Sequence, residues 1–520
     1  MRSVALLLAF TASAAAYGVG PAIALDELAQ KATVICKATA IADKRASDAS
    51  LGKVFGYPVH ETKLRTISCI KGSAPKTFKF RHYAYDPPPN SGIAYSPLHY
   101  ELTPGKVYIV FAVRNGGVYR PLFKEHTQKE DQGLFRAGDD KPLKGATVSD
   151  AIWAELQRML ASSVADDVAY AIGQLDQMSG GGLDLGLKDF DRQAALADIR
   201  KHVQSKNPVI AEAALDVFGG DSPFYVETDA PYWLAGVGKG TIAGLSPRKP
   251  LSTVTADFAS SELLAVANGS GAAHLRGLAI RALGRTRAIT LPAVTTWERS
   301  ADREVRRAAI IVSAQLSDRS LIAKAVVDAD ADVRRTGALA VGFTQDPKLL
   351  PALGKLLADG DANVRAAAAM AILSFSPDLT ESLMKAQLSS DYMPLFVNVL
   401  ARKDPKPYLV QLANVVEKQL QPAGWWGGRI PAADSWEILF NYVKAQPQAE
   451  LSRQPLGNVL DSLERMKWFS SSEPRDLYAL YVRRGLTARA KRFRDSLKQT
   501  ASYVEQYLDA ADQHPEHFVP

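Results

Sequence analysis

Few residues in this chain have the types and spacing that chemistry needs. Cys36 and Cys69 are the only two cysteines in 520 residues. An even pair in one stretch of an exported chain reads as a disulfide, with two buried free thiols as the alternative. No cysteine is left for a Cys-based zinc or iron–sulfur site. Four of the eight histidines, His60, His82, His99 and His126, lie in or just after the same stretch. A histidine cluster can bind a metal, but these separations give no ligand spacing. His82 alternates in phase with Phe78 and Phe80, the pattern of a hydrogen-bonded core histidine. Asn268-Gly269-Ser270-Gly271 lacks the framing glycine of a nucleophile elbow, and His60-Glu61-Thr62-Lys63-Leu64 lacks the second histidine of a zinc-protease motif. Gly236-Val237-Gly238-Lys239-Gly240-Thr241 has no hydroxyl residue directly after its lysine and no strand before it, so it is a poor phosphate loop. No catalytic residue, metal or cofactor is expected.

The recurring charged pattern is of another kind. Asp302-Arg303-Glu304-Val305-Arg306, Asp330-Ala331-Asp332-Val333-Arg334 and Asp361-Ala362-Asn363-Val364-Arg365 share the spacing Asp-x-x-Val-Arg, and each precedes an alanine-rich apolar run. Leu275-Arg276 marks a degenerate earlier copy, and Asn207-Pro208-Val209 opens a possible one before that. The physical reading is a helix start: aspartate caps, valine begins the buried stripe, and arginine reaches the aspartate of an adjacent repeat. Asp302, Arg306, Asp330, Arg334, Asp361 and Arg365 are therefore expected to form a structural ladder.

Two aromatic groups are candidate interface residues. Trp425 and Trp426 sit beside glycines and Arg429, and Tyr232-Trp233 sits in a Gly- and Pro-rich insertion at 219–250. Such residues anchor interfaces or close the ends of helical layers. A basic run from Arg483 to Lys498 reads as a solvated helix face, or as a contact for an anionic surface.

The elements that position these residues fall into two kinds. Residues 25–122 read as short strands. Thr33 to Thr39 is β-branched, Thr62 to Ile70 ends at Lys71-Gly72, Thr77 to Tyr85 alternates, and Val107 to Val113 is apolar on both faces. Asn115-Gly116-Gly117 is a hairpin turn, and several short strands with such turns suggest a small barrel. Residues 123–148, charged and glycine-containing, read as a linker. Helical periodicity begins at Ser149 and runs through repeats to 376, and residues 377–520 read as degenerate repeats and a cap.

The first strand, the strand ending Ile70-Lys71-Gly72, and Leu102-Thr103-Pro104-Gly105-Lys106-Val107-Tyr108-Ile109-Val110-Phe111 resemble the netrin-like module, the OB-type barrel shared with tissue inhibitors of metalloproteinases. Those inhibitors chelate zinc through an N-terminal cysteine. Here the first cysteine is Cys36, so the resemblance implies the fold and not that mechanism. The Asp-x-x-Val-Arg units resemble short HEAT-like repeats of the kind first noted in phycobilisome lyases. The expected fold class is multidomain, a small OB-like β-barrel followed by an all-α HEAT-like solenoid.

Composition constrains the partners. Hydrophobic residues make up 47% and charged residues 22%, as in ordinary globular proteins. The formal charge of +7 reads as a mild, diffuse excess that names no partner and does not call for nucleic acid. Met1-Arg2, the apolar run Val4 to Ala16, and Ala22-Ile23-Ala24 form a signal-peptide pattern over 1–24 that is too short to span a bilayer. The sequence thus leads to an exported, periplasmic or extracellular, non-enzymatic scaffold that binds a protein partner through its solenoid. The alternative is a regulator or inhibitor of a secreted enzyme acting through the β domain.

Overall fold

The computed structural model describes residues 25–51, 53, 57–86, 97–122, 133–179, 192–219, 260–285, 289, 291–418, 420, 431–465, 472–500 and 505–517. The export signal expected at 1–24 lies outside them, as does the 219–250 insertion apart from Gly219. Two compact units result. Over the described residues the first takes 25–219 with 260–271, and the second begins at 272.

In the first unit, α1 (Leu25–Lys31) leads into β1 (Val34–Arg45), β2 (Val59–Lys71), β3 (Thr77–Tyr83), β4 (Val107–Asn115), β5 (Val118–Arg120) and β6 (Leu134–Ala137). The strand order is β1-β2-β3-β5-β4, and β4 returns to β1, which closes a five-stranded barrel. All of these pairings are antiparallel except β3 with β5, which meet in parallel at Phe80 and Tyr119. Closure removes the open edges that a small sheet otherwise exposes. Alternation decides which way each side chain points. Cys36, Ala38, Leu64, Phe78, Phe80 and Tyr108 are among those filling the interior. The β4–β5 turn works because Gly116 and Gly117 both take positive φ, 58° and 83°, the requirement of a type I′ hairpin.

The segment expected to be a linker is corrected by β6, which pairs with β4 from Val107↔Ala137 to Val110↔Leu134. The chain then enters α2 (Val148–Leu160) through a reciprocal cap, Thr147 accepting from the Asp150 amide while the Asp150 carboxylate accepts from the Thr147 amide. Helices α3 (Ala165–Ser179), α4 (Arg192–Arg200), α5 (Pro208–Gly219) and α6 (Ser260–Asn268) complete the unit. The first helices after the strands therefore group with the barrel and not with the later repeats.

The second unit opens with α7 (Ala273–Arg285) and continues as helix pairs: α8 (Leu291–Glu298) with α9 (Arg303–Gln315), α10 (Arg319–Ala325) with α11 (Ala331–Thr344), α12 (Leu350–Leu356) with α13 (Ala362–Ser374), and α14 (Pro377–Ala386) with α15 (Met393–Lys403). After these come α16 (Leu409–Lys418), α17 (Pro431–Lys444), α18 (Gln448–Leu451), α19 (Leu456–Arg465), α20 (Ser472–Arg483), α21 (Thr487–Thr500) and α22 (Glu505–Gln513). One apolar core runs from Ile310 to Leu400 and a second from Val397 to Ala511. Buried Asn398 sits at the transition: its amide donates to the Pro431 carbonyl at 2.9 Å, and its side-chain oxygen accepts from Ser435 at 2.5 Å.

Candidate interaction surface

The second helices α9, α11 and α13 carry the recurring pattern, and its geometry repeats. Asp330 Oδ1 accepts from the amides of Asp332 and Val333 at 2.9 and 3.3 Å, and Asp361 Oδ1 does the same for Asn363 and Val364. Valine follows as the first fully buried residue of each helix. Next comes arginine, with two jobs. Arg334 Nη1 donates backwards to the carbonyls of Asp328 and Ala329, and its Nε and Nη2 donate forwards to Asp359 of the next repeat at 2.7 and 2.9 Å. Arg306 repeats both, holding the Ser300 and Ala301 carbonyls and gripping Asp328 through two bonds of 3.1 Å. Arg365 holds the carbonyls of Asp359 and Gly360.

The forward acceptor is thus the aspartate two residues before the cap. Asp328 and Asp359 each accept from the amide of the cap residue at 2.9 Å while taking the arginine fork. Ser300 occupies that position in the preceding repeat and still accepts from the Asp302 amide, but a hydroxyl cannot take the fork. Arg276 bonds the cap residue Asp302 instead, at 3.0 Å, and Asp302 makes no side-chain cap bond. At Asp302 the carboxylate serves the rung and makes no cap bond, whereas Asp330 and Asp361 cap their helices and the rungs go to Asp328 and Asp359.

Between the rungs, small residues let helices approach both within a pair and between pairs. A Cβ on Gly342 of α11 would lie 2.9 Å from the Ala371 Cα of α13, and one on Gly337 would lie 2.9 Å from the backbone of Ala325 and Val326. Residues 308–314, 336–342 and 366–372 are consequently buried all round. Exposed apolar side chains on the first helices, Leu291 of α8 and Leu379 of α14, stand singly and not as one patch.

Cys36 and Cys69 are cross-strand neighbours on β1 and β2 and form a disulfide. Trp425, Trp426, Arg429, Tyr232 and Trp233 lie outside the described residues, as does His126. Three of the seven bases in the basic run are engaged internally: Arg489 pairs with Asp461 and Glu464, Arg494 pairs with Asp509 and Asp512, and Arg484 donates to the Lys444 carbonyl, while Arg483, Lys491 and Arg492 are exposed.

His60 and His82 meet at one end of the barrel, ring centroids 6.2 Å apart. His82 Nδ1 donates to the Tyr83 carbonyl at 2.8 Å, and the Thr62 hydroxyl lies 2.8 Å from His82 Nε2 and 2.6 Å from Asp43. Burial pushes His82 down to about 4, which keeps the ring neutral near pH 7. Asp43 also bonds His60. Among the described residues no group of three or more His, Cys, Asp or Glu is placed to hold a metal ion.

One charged group went unread in the sequence. Lys37, fully buried on the outward side of β1, donates to Glu155 of α2 at 2.8 and 2.9 Å and to Asp139 at 2.9 Å. Glu155 also accepts from the Gly138 amide and bonds Arg158. The signal was present: a lysine in the middle of the apolar run Ile35 to Ala40 needs a buried partner.

A family model described as HEAT repeats matches residues 319–392. That span holds Arg334, Asp359, Asp361 and Arg365, and with the fold above it makes the second unit a HEAT-like helical-repeat structure. No curated protein sequence matches the chain. Solved structures with similarity include the Escherichia coli protein YibA, at 15% identity over 57% of this chain and 97% of that one, with a TM-score of 0.33. An engineered protein matches at 15% identity over 69% and 98%, with a TM-score of 0.21. A chain from the complex of Kap95p with RanGDP matches at 14% identity over 71% of this chain and 49% of its own length, with a TM-score of 0.32. Such scores are too low to bear on function.

Proposed function

We propose that this protein is an exported, non-enzymatic scaffold that binds a protein partner through its helical solenoid, with the barrel as a second module. One observation carries the reading: the recurring Asp and Arg side chains are spent on caps and rungs between repeats, so they build an extended surface and not a reaction pocket. The span 319–392, matched by the HEAT-repeat model, supports it. Export is supported by the signal pattern at 1–24 and by the disulfide, which persists in oxidising compartments. Among the described residues no helix is long and apolar enough to cross a membrane. The netrin-like assignment of the barrel and the lyase-type assignment of the repeats belong to the same proposal.

The test is chemical cross-linking of the purified protein in cell-envelope extract, with cross-linked peptides mapped by mass spectrometry. Cross-links from one partner to the surface of α8–α16 support the scaffold. A second reading, regulation of a secreted enzyme through the barrel, rests on the closed OB-like topology. It predicts cross-links confined to residues 25–137 and inhibition of a secreted metalloprotease by the full chain.

A further inference from the structure

The basic excess, expected to be diffuse, is concentrated. Residues 25–147 contain 19 Lys and Arg against 12 Asp and Glu, a net +7, whereas residues 148–520 contain 42 against 43. The whole surplus lies in and around the barrel, and the sheet shows where it is displayed. Leu64, Phe78 and Phe80 point into the core, so their neighbours Glu61, Lys63 and Arg65 on β2 and Lys79 and Arg81 on β3 point out. Lys44 on β1 stands opposite Glu61, and Lys76 lies in the β2–β3 hairpin.

The acids on this face are already engaged. Glu61 pairs with Arg81 at 2.9 Å and Lys79 at 3.2 Å, and Asp48 pairs with Arg120 at 2.7 Å and Arg81 at 3.6 Å. Both carboxylates are nearly buried, and the only other acid on the three strands, Asp43, bonds Thr62 and His60. Lys44, Lys63, Arg65 and Lys76 are exposed and make no ion pair among the described residues. Lys63 also stands directly across from Lys79, a like-charge pair that weakens a sheet. The fold tolerates that cost and leaves the cations facing solvent.

We infer that the outward face of β2 and β3, with the exposed end of β1 at Ala42 and Lys44, docks on an anionic phospholipid surface. The bases sit on flexible stems with no fixed cradle around them, which does not suit one small anion but does suit a plane of many mobile phosphates. Ala42 and Thr77 lie among the bases, and no aromatic ring does, so the face offers no platform for stacking the bases of single-stranded nucleic acid. Attachment of this kind is peripheral and electrostatic, and it is independent of what the solenoid binds.

The test is co-sedimentation of the full chain with phosphatidylcholine vesicles, with and without phosphatidylglycerol. Binding should require the anionic lipid and weaken as salt rises from about 0.1 M to about 1 M, which shortens the Debye length from about 10 to about 3 Å. The double variant Lys63→Glu/Arg65→Glu should lose at least about 30-fold in partitioning, from about 1 kcal/mol per basic residue. Lys63→Glu alone should raise the barrel's thermal midpoint by relieving the pair with Lys79, which separates lost docking from lost folding. Lys355→Glu/Arg402→Glu, the same charge change in the second unit, should bind like the native chain. Equal binding to neutral vesicles, native-like binding by the Lys63/Arg65 variant, or an equal loss in the control overturns the inference. So does retention of an acidic glycan or single-stranded DNA without vesicle binding.

Discussion

Removing one rung tests how the repeats hold together. Arg334 and Asp359 face each other with side chains 20% and 10% exposed and two bonds of 2.7 and 2.9 Å. Two further bonds tie Arg334 to the carbonyls of Asp328 and Ala329. Hydrogen bonds to charged groups are worth about 1.5–3 kcal/mol, and a carboxylate left in a largely buried place costs more than the bond it lost. Arg334→Ala should therefore lower local stability by about 3 kcal/mol, and Asp359→Ala by about the same, since Asp359 also orients the Asp361 amide. The double variant should fall short of the sum by about 2 kcal/mol, the direct coupling across the rung. Repeat arrays open piecewise, so the readout should be hydrogen exchange of amides in α11 and α13 and not one global midpoint. Arg303 and Asp332, at 3.2 Å but 58% and 43% exposed, provide the contrast and should couple by less than about 0.5 kcal/mol. A coupling at Arg334–Asp359 as small as that would refute the idea that the rungs hold the stack.

Four other perturbations have defined outcomes. Gly342→Ala drives a Cβ to within 3.0 Å of the Ala371 Cα and Cβ and should cost about 1–3 kcal/mol by differential scanning calorimetry. Gly173→Ala in α3 meets nothing within 4 Å and should stabilise by about 0.5–1 kcal/mol. Acid should destabilise the barrel. His82 is neutral in the fold, held at about 4, while the unfolded chain takes up a proton below 6.5, so its contribution is present above pH 6.5 and about 3 kcal/mol is lost on the way down to about 4. Burial alone would raise the Asp43 carboxyl, but the Thr62 and His60 bonds outweigh it, so its own loss falls at still lower pH and adds to the trend. His82→Gln should flatten the pH profile of the thermal midpoint between pH 4 and 6.5. Cys36→Ala/Cys69→Ala opens a loop spanning 33 positions and should cost roughly 3–4 kcal/mol in urea denaturation.

What the sequence revealed followed from range. Caps, hairpins and strand alternation are local, so Asp330, Asp361, Asn115-Gly116-Gly117 and the Phe78–His82 phase could be read from neighbouring residues. The rung depends on a residue about 25 positions away, and its acceptor, two residues before the cap, looks like ordinary loop aspartate until the neighbouring helix is placed beside it. Strand β6 is four residues long and flanked by charge, so its composition reads as linker, although Leu134 joins the barrel interior and Phe135 packs against Phe111 on the opposite face. The cationic face was hidden for a different reason: strand alternation sends Lys63, Arg65 and Lys79 to the same side only once the β2–β3 register is known.

Where a partner touches the chain decides between a solenoid scaffold and a barrel-borne regulator. Cross-linking mass spectrometry of the native chain in envelope extract, repeated with the Arg334→Ala/Asp359→Ala variant, addresses that directly. The scaffold account predicts that one protein cross-links along several consecutive helix pairs between residues 291 and 418, and that the variant loses contacts on both sides of the broken rung. Cross-links restricted to the barrel, or an unchanged pattern in the variant, would contradict it.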